Sequence, residues 1–294
     1  MEKVSFYDHI SANKRNSVFL VIIVIIIMIF FGYLIGLILG SVVAGVMIAV
    51  SIAIFLTLIG VFSGDDIILS ASNAKPADKK YYAHLINIVE GLSIAAGIPM
   101  PKIYVINDNT INAMAIGRNP KKASIAVTTG ALEKLNRSEL EGVIGHEMSH
   151  IKNYDVRFMM LTAILVGIVA LLSDFFIRSF FFSGGGNREG GKIHPVFLIF
   201  ALVLAILAPI AGYMIKLAVS RKREFLADAN GALLTRHPSG LANALKKIKE
   251  DTVKPSSTAN KAVAHLYFSN PFKGSNLWST HPDINERIKR LEEM

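Results

Sequence analysis

Two uninterrupted apolar runs open the chain, Val18 to Leu39 and Val42 to Phe62, and neither contains a charged residue. In hydrocarbon every backbone N–H and C=O must be satisfied within the protein. A run of roughly 20 apolar residues therefore has one ready solution, a spanning helix. Only Gly40 and Ser41 separate the two runs, which predicts a tight helical hairpin. The first run is longer than the apolar core of a signal peptide and the second follows at once, so the pair reads as a permanent anchor. Two further runs, Phe158 to Ile177 and Val196 to Ile215, complete a set of about four transmembrane helices. The third carries Asp174 near its end and the fourth carries Pro209 as a kink site; the alternative for these two is a pair of buried core helices.

Composition agrees with a membrane protein. Of 294 residues 52% are hydrophobic and 18% charged, against about 25% charged in soluble domains. Disorder needs low hydrophobicity and is excluded. The chain has no cysteine, which excludes disulfides, thiolate metal sites and cysteine nucleophiles. The net charge of +9 suits an anionic membrane surface better than nucleic acid here, because Lys and Arg also set the orientation of spans. They gather at Lys3, Lys14 and Arg15, at Lys75, Lys79 and Lys80, at Arg137, Lys152 and Arg157, and from Lys216 to Arg223. The opposite side has only Arg178, Arg188 and Lys192, around a glycine-rich loop that reads as a flexible linker. Both termini and the middle region are thus expected in the cytoplasm, with Arg221-Lys222-Arg223 meeting lipid headgroups.

This gives four regions. Residues 1–65 hold the N-terminal tail and first hairpin (spans 18–39 and 42–62). Residues 66–157 form a cytoplasmic part, residues 158–215 a second hairpin (spans 158–177 and 196–215), and residues 216–294 a mainly helical cytoplasmic end. In the middle region Ala77 to Ala96 has helical periodicity and Gly97-Ile98-Pro99 stops it. Lys102 to Ile106, Ile111 to Ile116 and Ser124 to Thr128 read as strands. Ser138 and Glu141 have the pattern of a capping box at the head of another helix. The polar stretch from Asp251 to Asn276 reads as a loop. The expected fold is a polytopic α-helical membrane protein with a mainly helical cytoplasmic domain carrying a small β-sheet.

The helix after Ser138 contains His146-Glu147-Met148-Ser149-His150. Histidines at i and i+4 share one face, so both imidazoles can reach one metal ion. Neutral imidazole suits Zn²⁺. Glu147 lies beside the first ligand, where a general base is needed. A catalytic zinc takes a third protein ligand and keeps one position open. The best candidate is Glu224, which stands four before Asp228; Asp228 is suited to accept a hydrogen bond from a ligand histidine and fix its tautomer. The alternative is an acidic pair on a solvated face, which repels itself unless a metal or a basic partner offsets it. His150 lies shortly before the third apolar run and Glu224 shortly after the fourth. If both helices continue out of the bilayer, about 1.5 Å of rise per residue places both ligands roughly 12–14 Å from it, on one side.

These residues resemble the HtpX family of membrane-bound zinc endopeptidases. The resemblance covers most of the chain and rests on Asn112-Ala113-Met114-Ala115, Val127-Thr128-Thr129-Gly130, the H-E-x-x-H helix followed by Asp155, the segment from Glu224 to Asp228, and Ser279-Thr280-His281-Pro282. Family members usually have Phe where Met114 stands. The resemblance implies one Zn²⁺ per chain and a heat-shock-linked protease of the bacterial inner membrane that degrades misfolded or damaged membrane proteins. A distant branch processes prenylated CAAX proteins in a larger membrane chamber, and four spans argue against that branch.

The expected mechanism is metal-assisted hydrolysis with Glu147 as general base. An extended substrate is expected to add a strand to a sheet edge. The resemblance places Asn112 near the substrate backbone and so points to Ile111–Ile116 as that edge; the alternative for Asn112 is a turn residue. His281 is a candidate donor to the tetrahedral oxyanion, or a helix-entry residue before Pro282. Asp155 is either a support for the metal ligands or a helix C-terminal residue. Expected partners are membrane-protein or unfolded polypeptide substrates and lipids. A zinc-stabilised scaffold is the rival from another class, and it has no need of Glu147. A transporter calls for polar groups at mid-membrane, which the first two runs lack.

Overall fold

The structure is a computed structural model that describes residues 6–164, 221–251, 266–269 and 282–294. The third apolar run is described only to residue 164. The fourth run, the glycine-rich loop, Asp174 and His281 lie outside the described residues.

The first two runs form the helical hairpin that their spacing predicts. Helix α1 is Phe6–Leu39 and α2 is Val42–Ala71. Gly40, at φ +77°, makes the left-handed turn between them, a conformation glycine adopts without a Cβ clash. Ser41 then caps α2, its Oγ accepting from the Ala44 N–H. Both helices are long and apolar enough to cross a membrane. Their outward faces expose Phe19, Val43, Phe55 and Phe62, apolar side chains that call for lipid or a protein partner around them. Helix α2 runs past the apolar stretch through Asp65 and Asp66, so the hairpin continues directly into the rest of the described chain.

That part is built on a four-stranded sheet. Its strands are β1 (Lys75–Pro76), β2 (Lys102–Ile106), β3 (Ala113–Asn119) and β4 (Lys122–Thr128), in the order β1-β2-β4-β3. The β2–β4 pair is parallel and the others antiparallel, so β3 is an edge strand. The helices are α3 (Lys79–Ala96), α4 (Thr129–Lys134), α5 (Arg137–Lys152), α6 (155–164), α7 (Arg221–Thr235), α8 (Pro238–Glu250) and α9 (Ile284–Glu292). Helix α5 is the hub, packed by α3, α7, α8 and β3. Leu85, Val89, Ile125, Val127, Ile144, Met148, Leu241 and Leu245 are fully buried around it. Each such aliphatic side chain contributes about 1.5–3 kcal/mol relative to exposure.

Three local expectations are corrected. The capping box of α5 is Asn136 with Glu139, not Ser138 with Glu141; Asn136 Oδ1 accepts from the Glu139 N–H and Glu139 Oε2 from the Asn136 N–H. Glu141 instead pairs with Arg137 at 2.8 Å. Strand β3 begins at Ala113, because Asn112 turns its N–H to Thr128 Oγ1 instead of into the ladder. Helix α5 does not continue into the third apolar run. It ends at Lys152, Tyr154 takes a left-handed φ of 60°, and α6 starts afresh at residue 155.

Candidate metal centre

Helix α5 is buried from Gly142 to Ile151, so its polar side chains there must find partners inside the protein. His146 and His150 stand on one face with ring centroids 4.7 Å apart and nearly perpendicular. Their Nε2 atoms face each other at 3.1 Å. Helix α7 crosses α5 beside them. The crossing needs glycine: a Cβ on Gly231 would lie 2.8 Å from the His146 backbone nitrogen, and forcing such an overlap costs about 1–3 kcal/mol. The close approach brings Glu224 to the histidines, with Oε2 3.7 Å from His146 Nε2 and Oε1 3.5 Å from His150 Nε2. One ligand atom from each of the three buried residues lies within 4.8 Å of the others.

The outer nitrogens of both rings are held by carboxylates. His146 Nδ1 lies 2.9 Å from Asp228 Oδ1, and His150 Nδ1 lies 2.9 Å from Asp155 Oδ2. An Nδ1–H that donates to a carboxylate leaves Nε2 as a lone pair. Two such lone pairs aimed at one point, with a carboxylate beside them, form a nitrogen–nitrogen–oxygen donor set for a cation. Charge agrees. Around the two histidines the buried carboxylates Glu147, Asp155, Glu224 and Asp228 are met, among the described residues, by the guanidiniums of Arg223 and Arg287. That leaves two negative charges when the imidazoles are neutral, which a divalent ion offsets. The residues thus fit a divalent cation.

Protonation follows the same field. Burial and the nearby charges of His150 and Arg287 outweigh Asp228 and lower His146 to about 4. Burial opposes a charge on His150 too, but the Asp155 hydrogen bond and the Glu224 and Glu147 carboxylates prevail and raise it to about 9. Burial raises Glu147 to about 7, with Glu224 adding to the shift and His150 opposing it. The Ala115 N–H of β3 is hydrogen-bonded to the Glu147 carboxylate.

Asp155 holds the His150 ring; it is not a helix C-terminal residue, since α5 has already ended. Two contributors have no counterpart in the sequence reading. Arg287 of α9 is 2% exposed and grips Asp228 with two parallel bonds, Nε to Oδ2 at 2.8 Å and Nη2 to Oδ1 at 2.7 Å. Its signal was its place on the apolar face of a short helix beside Ile288 and Leu291. Asn13 of α1 bonds Asp155 and gave no signal. Arg223, expected at the lipid interface with its neighbours, turns inward instead, 3.1 Å from Asn13 Oδ1 and 3.9 Å from Asp155. Arg221 and Lys222 are exposed.

The edge of β3 carries a short segment of the chain itself. Tyr267 pairs antiparallel with Met114, and the Phe268 N–H donates to the Ala113 carbonyl at 2.7 Å. Asn112 brackets the next residue: its Oδ1 accepts from the Ser269 N–H and its Nδ2 donates to the Ser269 carbonyl. Phe268 stands edge-on to the His146 ring, centroids 4.9 Å apart. This part of the expected 251–276 loop is therefore ordered against the sheet.

Comparisons with known proteins supply the family. The sequence pattern of Peptidase family M48 matches residues 79–294. A protease HtpX homolog of Dictyoglomus thermophilum is 45% identical over 100% of this chain and 96% of its own length. One from Caldanaerobacter subterraneus subsp. tengcongensis is 49% identical over 78% of each chain. One from Listeria monocytogenes is 40% identical over 98% of this chain and 99% of its own. The crystal structure of S. mikatae Ste24p shares the fold, with a TM-score of 0.51 at 20% identity over 83% of this chain and 57% of that one. The match over residues 79–294 and the full-length relatives lead to one conclusion: the chain belongs to Peptidase family M48 and is a membrane-associated metallopeptidase.

Proposed function

We propose that this chain is a zinc-dependent endopeptidase of the bacterial cytoplasmic membrane that cleaves misfolded or damaged membrane proteins on the cytoplasmic side during stress. The observation that carries the reading is the meeting of His146, His150 and Glu224 at one point beside Glu147. Two nitrogens and a carboxylate oxygen favour zinc, and three protein ligands leave a position open for chemistry. The distribution of Lys and Arg supports a cytoplasmic site on a four-span chain, with Arg221 and Lys222 at the headgroups.

A bound divalent ion supplies Lewis acidity toward the scissile carbonyl and acidifies water. Glu147 takes the proton from the attacking water and hands it to the leaving amine. Asp228 and Asp155 fix the tautomers and directions of His146 and His150. These side chains are buried, so their charges are screened less than at the surface. His281 is the candidate donor to the oxyanion. Substrate binds extended along β3. The way Leu266–Ser269 sits there supports this, since an extended polypeptide fits that edge with an aromatic side chain against His146. A substrate strand uses the same groups of Asn112 and Ala113, and displaces that segment to do so.

The test is cleavage of an unfolded, dye-labelled polypeptide by the detergent-solubilised chain. Cleavage is expected to vanish on chelation and to return with one equivalent of zinc. A folded, zinc-loaded chain that cleaves nothing favours the scaffold reading instead.

A further inference from the structure

The N-terminal helix reaches the metal centre through one side chain. Asn13 belongs to α1, one continuous helix from Phe6 to Leu39. It precedes the first apolar run by about 7–8 Å at 1.5 Å of rise per residue. It is 5% exposed. Its Nδ2 donates to Asp155 Oδ1 at 2.6 Å and to the Asn153 carbonyl at 2.9 Å, and its Oδ1 accepts from Arg223 Nη1 at 3.1 Å. These three partners lie on different elements. Asn153 is where α5 ends, Asp155 is the first residue of α6, and Arg223 is on α7 next to Glu224.

The position matters because the corner between α5 and α6 is an awkward place to hold a carboxylate. Tyr154 between them has φ 60°, a conformation costly for a non-glycine residue. The carbonyls at the end of α5 lack helical partners. Asn13 answers both needs at once: it satisfies the Asn153 carbonyl and fixes one oxygen of Asp155, so that the other meets His150 Nδ1 at 2.9 Å. Lys14, the next residue, lies over the Tyr154 ring at 4.4 Å, and Ser17 Oγ donates to the Asn13 carbonyl. Helix α1 therefore clasps the corner through Asn13 and Lys14, and of its described side chains Asn13 is the one that touches the carboxylate.

We propose that Asn13 is a positioning residue for the metal ligand His150, acting through Asp155, so that the membrane-anchored helix is part of the metal site. The inference rests on the reading of His150 as a ligand. Its consequence is that metal retention depends on a residue outside the region matched to the peptidase family, which begins at residue 79.

The experiment measures zinc release from the full-length chain in detergent to a chromophoric chelator. The variants are Asn13→Ala, Asn13→Asp, Asp155→Asn, the double variant Asn13→Ala/Asp155→Asn, and Asn16→Ala as an exposed control on the same helix. Removing a group that orients a ligand typically weakens metal binding by about 10–100-fold. Asn13→Ala is expected to speed zinc release by roughly tenfold or more, with Asn16→Ala unchanged, and to shift the visible absorption of the cobalt-substituted chain. In the Asp155→Asn background the same substitution is expected to have little further effect, because coupled residues are not additive. Should Asn13→Ala fail to fold, the near-isosteric Asn13→Asp takes its place, having lost the amide donor to Asp155. Release at the wild-type rate overturns the proposal, and so does an effect of equal size with and without Asp155. A wild type that takes up no zinc overturns the ligand reading itself.

Discussion

Glu147→Gln lowers kcat by about 10²–10⁴-fold, the usual range for loss of a general acid–base, and leaves zinc content and thermal unfolding unchanged. Glutamine has the volume of glutamate, and its carbonyl oxygen can still accept the Ala115 N–H that the carboxylate holds. Glu147 is not one of the converging ligand groups, so the ion stays. What is lost is the basic oxygen that takes a proton from water. Parallel measurement of kcat, zinc by atomic spectrometry and unfolding temperature checks this. A variant that cleaves as fast as wild type removes Glu147 from the mechanism, and one that loses zinc makes it a structural residue.

Arg287→Leu has the largest expected effect on stability. Asp228 is buried and relies on Arg287 for two charge-assisted bonds. That guanidinium and the His146 hydrogen bond hold the Asp228 carboxyl well below the usual carboxylate range, against the effect of burial. Removing one partner of a buried ion pair leaves an uncompensated charge and costs about 3–5 kcal/mol. In a chain of this size that lowers the unfolding midpoint by roughly 10 °C. Arg287→Leu/Asp228→Leu separates two roles of the pair. Removing both charges is expected to recover much of the stability, because an apolar pair fills the site without a buried charge. It is not expected to recover zinc affinity, since His146 has lost the group that sets its tautomer. Thermal unfolding and zinc titration of the two variants decide this. Equal stability of Arg287→Leu and wild type means that the buried pair contributes nothing.

The parts of the site legible in the sequence are those set by local periodicity. His146 and His150, and Glu224 and Asp228, each stand four apart, and a helix places such residues on one face whatever surrounds it. The first hairpin is equally local, since its apolar runs admit few alternatives. Capping was legible in kind but slipped by two residues. Asn136–Glu139 and Ser138–Glu141 satisfy the same pattern, and the choice fell to the pair that leaves Glu141 free to meet Arg137. The order of the strands, with β4 between β2 and β3, depends on a crossover that no local pattern encodes. Arg287 and Asn13 were illegible for a like reason. Each reaches the centre across more than a hundred residues of chain, and nothing in the neighbourhood of Asn13 distinguishes it from Asn16. The acidic pair Glu224 and Asp228 reads as needing a metal or a basic partner. The structure supplies Arg287 for Asp228 and places Glu224 with the histidines.

The central claim is that one divalent ion is held by His146, His150 and Glu224. Zinc-edge X-ray absorption on the full-length chain, stripped by chelation and reloaded with one equivalent of zinc, tests it most directly. The account predicts two imidazole ligands with the remainder oxygen, and loss of stoichiometric binding in Glu224→Ala. An ion with no imidazole ligands, or one whose affinity and ligand shell survive Glu224→Ala unchanged, would contradict it.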